Sequence, residues 1–267
     1  MNTTTAAAIQ MVSTPDVADN LRTAAGLIER AAGDGATLAV LPEYFAIMGQ
    51  RDTDKLAIVE AFGNGLIQDF LADQAERHGI WLVGGTVPLA APGARRIRNA
   101  SLVFDPAGIC VGRYDKIHLF GFDNGSEHYA EADTIEAGDT PLVIDTPFGR
   151  LGVAVCYDLR FPELFRTVGE VDIWVLPAAF TATTGRAHWE TLLRARAIEN
   201  QCFIVAAGQG GVHSTGRETW GHSLIVDPWG QVLACRETGA GLASAELKAS
   251  QLERVRKVLP ALTHRRL

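Results

Sequence analysis

The segment Val40-Leu41-Pro42-Glu43-Tyr44-Phe45 returns in the second half of the chain as Val175-Leu176-Pro177-Ala178-Ala179-Phe180. Each copy is followed by a helical pattern and then by an apolar strand ending in glycine, at 81–85 and 203–208. Each then reaches the same hairpin, Ser101-Leu102-Val103-Phe104-Asp105-Pro106-Ala107-Gly108 and Ser223-Leu224-Ile225-Val226-Asp227-Pro228-Trp229-Gly230. In Asp-Pro-x-Gly, proline presets a negative φ and glycine permits a positive one, which is turn chemistry. Three matching elements in one order predict two similar half-sheets related by a pseudo-twofold. They are expected to pack face to face with helices outside.

The rest of the pattern fits that plan. Strands are predicted near 5–12, 37–41, 80–87, 98–105, 109–114, 149–155, 171–176, 202–208, 220–226 and 231–235. Helices are predicted near 17–32, 62–78, 187–200 and 247–258; in the second, Leu66, Phe70, Leu71 and Ala75 recur at helical spacing. Ala90–Ala94 reads as a hairpin loop by composition. No linker divides the 267 residues, which are taken as one domain over 1–267, and a 47% hydrophobic content supports a large core. The polar stretch from Gly121 to Asp139 is expected to wall a pocket or cover it.

Three chemically capable residues sit at strand ends. Cys156 ends the run Leu151-Gly152-Val153-Ala154-Val155, Glu43 closes Leu38-Ala39-Val40-Leu41-Pro42, and Lys116 follows Tyr114-Asp115. One rim of an open α/β sheet is where ligands bind. A thiol becomes a nucleophile as the thiolate, which an ammonium favours and a carboxylate can generate.

LPEYF (41–45), YDKIHLF (114–120) and GVAVCYDLRFPEL (152–164), in this order, resemble the nitrilase superfamily of carbon–nitrogen hydrolases. The resemblance runs from Ala7 to about Arg256. It implies an α/β fold, a four-layer α-β-β-α sandwich, and it implies Glu43 as general base, Lys116 as oxyanion donor and Cys156 as nucleophile. The backbone N–H of Tyr157 would be the second oxyanion donor. A further, assisting Glu is implied after the Lys. Glu131 fits best by local similarity and Glu127 competes with it. The reaction needs no cofactor and no metal, and the four Cys and seven His show no zinc-ligand spacing.

Within the superfamily, 116–120 and 177–189 look like the branch that contains ω-amidases and deaminated glutathione amidases, which act on amides of a keto-dicarboxylic acid. Arg160 is then expected to clamp the keto-acid carboxylate with help from Thr184, while Phe45 and Phe180 wall the acyl chain. The stretch 208–223 looks more like the second activity, with Arg217 placed to meet a glycyl carboxylate. The expected reaction is hydrolysis of deaminated glutathione to 2-oxoglutarate and cysteinylglycine through an acyl-thioester. Hydrolysis of 2-oxoglutaramate to 2-oxoglutarate and ammonia is the alternative. From other classes, a Cys-dependent acyltransferase or an inactive binding module remain open, as does a Cys–His enzyme using His118, His188 or His222.

The expected partner is a small-molecule amide. A net charge of −7 with dispersed Lys and Arg argues against nucleic acid and anionic membranes. The widely spaced cysteines 110, 156, 202 and 235 read as reduced thiols of a cytoplasmic protein. The resemblance implies a homodimer or higher homo-oligomer, with Leu164 and Phe165 consistent with an interface or equally with the core.

Overall fold

Runs that are apolar at every position must be covered on both faces, and this dictates the layering. The computed structural model describes residues 1–92 and 96–266. The first half runs β1 (Thr4–Gln10), α1 (Val17–Gly33), β2 (Leu38–Val40), α2 (Leu66–His78), β3 (Trp81–Val83), β4 (Val87–Ala90), β5 (Ile97–Phe104) and β6 (Cys110–Asp115). A connecting hairpin, β7 (Gly121–Asp123) and β8 (His128–Ala130), precedes β9 (Leu142–Thr146) and β10 (Gly149–Val153). There follow α3 (Pro162–Thr167), β11 (Ile173–Ala178), α4 (Ala182–Asn200) and β12 (Phe203–Gly208). The small pair β13 (Gly210–Val212) and β14 (Glu218–Trp220) leads to β15 (Ser223–Val226), β16 (Val232–Arg236), β17 (Gly241–Leu247) and α5 (Ala249–Val258).

The internal repeat is realised strand by strand. One sheet has the order β17-β1-β2-β3-β5-β4, with β6 also on β5; the other has the order β16-β15-β12-β11-β10-β9. In the first, β1, β2 and β3 are parallel and β17, β5 and β6 pair antiparallel. In the second, β10, β11 and β12 are parallel and β9, β15 and β16 pair antiparallel. The two Asp-Pro-x-Gly turns close alike: Gly108 N donates to Asp105 O at 3.0 Å, and Gly230 N to Asp227 O at 2.9 Å.

Side-chain alternation sorts the faces. Ala6, Ala8, Leu38 and Val40 meet Leu151, Val153, Ile173 and Val175 in one core between the sheets. The neighbouring positions Ile9, Ala39 and Leu41 face the other way, onto Ile28 of α1 and Leu71 and Ala75 of α2. On the opposite side α4 packs along β12 and β15 with Trp189, Leu193 and Ala197. The result is the expected α-β-β-α sandwich. None of the described helices is long and apolar enough to cross a membrane.

Several expectations shift. Helix α4 begins at Ala182 rather than 187, because the Thr181 hydroxyl accepts from Thr184 N at 3.3 Å and caps an earlier turn. Strand β3 ends before the predicted 87, since Gly85 takes φ 54°. β17, rich in small residues, carries little strand propensity of its own and is held by pairing along its whole length with β1. Leu164 and Phe165 are core rather than interface: they are 5% and 1% exposed, and Phe165 packs on Trp174 with ring centroids 4.7 Å apart. In the hairpin loop expected at 90–94, Gly93 and Ala94 lie outside the described residues.

Candidate active site

After β10 the chain stays on its neighbour for one more bond, Ala154 N to Val175 O at 3.1 Å, and then turns sharply. Cys156 adopts φ 50° at the start of a 3-10 turn over Cys156–Arg160. A non-glycine residue in that region stores strain, which persists only where the surroundings impose it. Asp158 imposes it here. Its fully buried carboxylate accepts from Val155 N at 2.8 Å and Tyr114 Oη at 2.7 Å, and from His118 N at 3.0 Å. His118 Nδ1 lies 2.7 Å from the same group. One side chain thus ties the cysteine turn to the segment carrying Lys116. Asp158→Asn is expected to destabilise the fold by about 1–3 kcal/mol, because a carboxamide cannot accept all these bonds. A lowered Tm with a parallel loss of rate checks this, and an unchanged Tm contradicts it.

Glu43 is set by a close approach. At Gly85 a Cβ would lie 2.2 Å from Pro42 O, so only glycine lets β3's end pass beneath this segment. Tyr44 N donates to Thr86 Oγ1 at 2.9 Å, and Tyr44 itself takes φ 56°. The Glu43 carboxylate, 1% exposed, accepts from Asn99 Nδ2 and from Lys116 Nζ, each at 2.9 Å. Lys116, fully buried, also donates to both oxygens of Glu131 at 2.9 and 2.8 Å. Glu131 is locked in turn by Phe120 N at 2.7 Å and Tyr44 Oη at 2.8 Å. Glu127 is elsewhere, accepting from Thr183 Oγ1 at 2.7 Å.

The charges are arranged so that one proton can move. Burial opposes the Lys116 charge, but the carboxylates of Glu131 and Glu43 outweigh it and hold its pKa well above normal. Burial also opposes ionisation of Glu131, yet Lys116, the Phe120 N–H and the Tyr44 hydroxyl keep it below the usual carboxylate range. Glu43 goes the other way, raised by burial against the pull of Lys116. Burial and the nearby Glu43 charge lift the Cys156 thiol well above its ordinary value. The cluster therefore rests as a thiol beside a carboxylate of raised basicity, with a permanent ammonium next to both.

Two cavities adjoin this cluster. One, of about 210 Å³, is lined by Cys156, Tyr157, Arg160, Phe180 and Thr184 among others. The other, of about 470 Å³, is lined by Tyr44, Lys55, Phe120, Tyr129, Glu131 and Arg217 among others. Phe120 borders both. Arg160 forms no salt bridge among the described residues; it lies over the rings of Phe180 and Tyr157 at 5.5 and 5.7 Å, with Nη1 3.2 Å from His188 Nδ1.

The carbon–nitrogen hydrolase family model matches residues 5–257. A deaminated glutathione amidase of Synechocystis is 41% identical over 266 residues, covering 97% of both chains. The human protein of the same name is 39% identical over 97% of this chain and 81% of its own. The chain belongs to the carbon–nitrogen hydrolase family. Its fold matches the crystal structure of the Caenorhabditis elegans NitFhit protein with a TM-score of 0.91 and 38% identity, covering all of this chain and 66% of that longer one.

In this carbon–nitrogen hydrolase the structure brings Glu43, Lys116, Glu131 and Cys156 together, and places Arg160, Phe180 and Thr184 on one side and Arg217 on the other. Phe45 does not join them. It is fully buried in the core against α1 and α2 and lines neither cavity, because the left-handed turn at Tyr44 sends the tyrosine toward the site and the phenylalanine inward. Sequence reasoning missed Tyr44, Asn99 and Asp158. Asp158 and Tyr44 lay inside the quoted motifs themselves, but nothing local marked Asn99 or the distant partner of Tyr44. The three histidines weighed as bases are engaged otherwise: His118 with Asp158, His188 with Arg160, and His222 near Cys235 at 4.0 Å.

Proposed function

We propose that this protein hydrolyses the amide bond of deaminated glutathione, releasing 2-oxoglutarate and cysteinylglycine. The observation that carries the reading is the buried Glu43–Lys116–Glu131–Cys156 cluster with a separate cationic cavity on each side. The name shared by full-length relatives supports the substrate. A molecule with a carboxylate at both ends and an amide between them suits such a layout.

The steps follow from the charges. Substrate carbonyl enters beside Cys156, its keto-acid carboxylate meeting Arg160 and Thr184 and its methylene chain lying on Phe180. Glu43 takes the thiol proton as sulfur attacks, and negative charge develops on the carbonyl oxygen. Lys116 Nζ and the Tyr157 N–H stabilise that oxygen. Collapse breaks the carbon–nitrogen bond, and Glu43 returns the proton to the departing amine. Glu43 then draws a proton from water, which opens the thioester to 2-oxoglutarate and restores the thiol. Glu131 keeps Lys116 charged and aimed throughout.

The base must be ionised to begin. Because burial raises Glu43, activity is present above that raised pKa and is lost as pH falls through it. The acid limb of kcat/KM is therefore expected to have its midpoint above 4.5, the ordinary value. A midpoint at or below that value contradicts the assignment. Arg160→Lys is expected to raise KM for keto-acid amides about ten-fold or more, since a point charge replaces a bidentate fork. Unchanged kinetics would remove Arg160 from the pocket.

The direct test runs deaminated glutathione and 2-oxoglutaramate in parallel, with products identified by mass spectrometry. Preference for the first supports the proposal, and preference for the second makes the protein an ω-amidase. Homo-oligomer formation rests on the resemblance alone, now that Leu164 and Phe165 are core, and a cytoplasmic location rests on the four widely spaced cysteines. Sedimentation velocity measures the former.

A further inference from the structure

Lys55 is a buried cation with no ion pair within 4 Å among the described residues; the carboxylates of Asp52 and Glu131 act on it only from farther away. It sits in the 3-10 turn Asp54–Ile58 and is 8% exposed. Its Nζ lies 5.4 Å from the centroid of the Tyr44 ring, and no hydrogen bond or ion pair holds it among the described residues. Burial pushes its pKa down. A charged amine kept from water and left unpaired is costly, and proteins retain one where a ligand completes it.

The same cavity holds a second incomplete cation. Arg217 Nε is buried with no hydrogen-bond partner, and the guanidinium lies 5.1 Å from the Tyr129 ring centroid. The other charges on the rim are largely spent. Arg51 Nε is 3.2 Å from Asp54 Oδ1, and Glu131 is occupied by Lys116, Phe120 N and Tyr44. Asp52 is the remaining carboxylate, and it is exposed at the mouth. Two rings flank the pair, so an anion entering here meets cations already positioned by Tyr44 and Tyr129.

We infer that Lys55, with Arg217, is the receptor for a carboxylate carried by the amine half of the substrate. Lys55 is then the residue that selects amides whose amine half ends in a carboxylate over amides of ammonia. The inference rests on the amidase reading above. It adds the discriminating cation, which the sequence did not mark. Tyr44 links the two functions, since its ring lies under Lys55 while its hydroxyl holds Glu131.

The test compares deaminated glutathione with its C-terminal glycinamide, which differs only in lacking that carboxylate. The wild-type enzyme is expected to favour the acid by about 10- to 100-fold in kcat/KM, the range of a charge-assisted contact. Lys55→Met should shrink that ratio about ten-fold, and Lys55→Arg should keep most of it. A ratio equal in wild type and Lys55→Met overturns the inference, including when both rates fall together through damage to the fold. If the wild type hydrolyses neither compound, the amidase substrate is wrong, and binding decides the site by itself. Calorimetry of Cys156→Ala protein with cysteinylglycine and cysteinylglycinamide should then show tighter binding of the acid, lost when Lys55→Met is added. Equal binding of the two would refute it.

Discussion

Replacing Lys116 by methionine is expected to lower kcat at least about 1,000-fold and to destabilise the fold by about 3–5 kcal/mol at neutral pH. The rate falls because the developing oxyanion loses its charged donor. The fold weakens because Lys116 is the shared counter-ion of Glu43 and Glu131, both removed from most solvent. Methionine fills a similar volume, so the loss is electrostatic and not a cavity effect. The pH dependence separates these. In the native protein Glu131 has a folded pKa below its ordinary value, so its stabilisation is present above the unfolded pKa and fades as pH falls. Without the lysine, two buried carboxylates repel, their folded pKa values rise, and protonation on acidification relieves the cost. Thermal melts of the two proteins should therefore converge as pH is lowered. Equal melting temperatures at neutral pH would contradict the ion cluster.

Cys156→Ser is expected to lower kcat by at least about 10,000-fold while leaving stability within about 1 kcal/mol. The hydroxyl is nearly isosteric and leaves the bonds of Asp158 untouched, so the turn survives. What fails is nucleophilicity. A carboxylate, even one raised by burial, is far too weak a base to ionise a serine hydroxyl without the further activation that serine enzymes use. Steady-state rates and a melting curve on one preparation measure both quantities. Retained activity would move the nucleophile elsewhere.

The sandwich was legible because its signal is repeated. The twin Val-Leu-Pro segments and twin Asp-Pro-x-Gly turns state the half-sheet twice, and apolar runs at 38–41 and 173–178 can only be interior parallel strands. Strand β17 escaped, since its alanines and serine make sense only beside β1, more than two hundred residues away. In the site, Glu43, Lys116 and Cys156 each close a strand, so the topology alone brings them to one rim. Phe45 was misplaced because one left-handed residue, Tyr44, inverts which of two adjacent aromatic side chains faces the cavity. No local pattern encodes that inversion; it is imposed by Gly85 and Thr86 of the neighbouring segment. Lys55 was invisible for a different reason. In sequence it is one more charge in a polar turn, and only burial with no close ion pair among the described residues sets it apart.

The central claim is that an acyl group passes through the sulfur of Cys156. Rapid-quench intact-mass spectrometry of the wild-type protein mixed with deaminated glutathione tests it most directly. A transient 2-oxoglutaryl adduct is expected, located on the peptide containing Cys156, absent from Cys156→Ser, and decaying as 2-oxoglutarate appears alongside cysteinylglycine. Release of both products with no adduct at any quench time, or an adduct that persists when Cys156 is replaced, would contradict it.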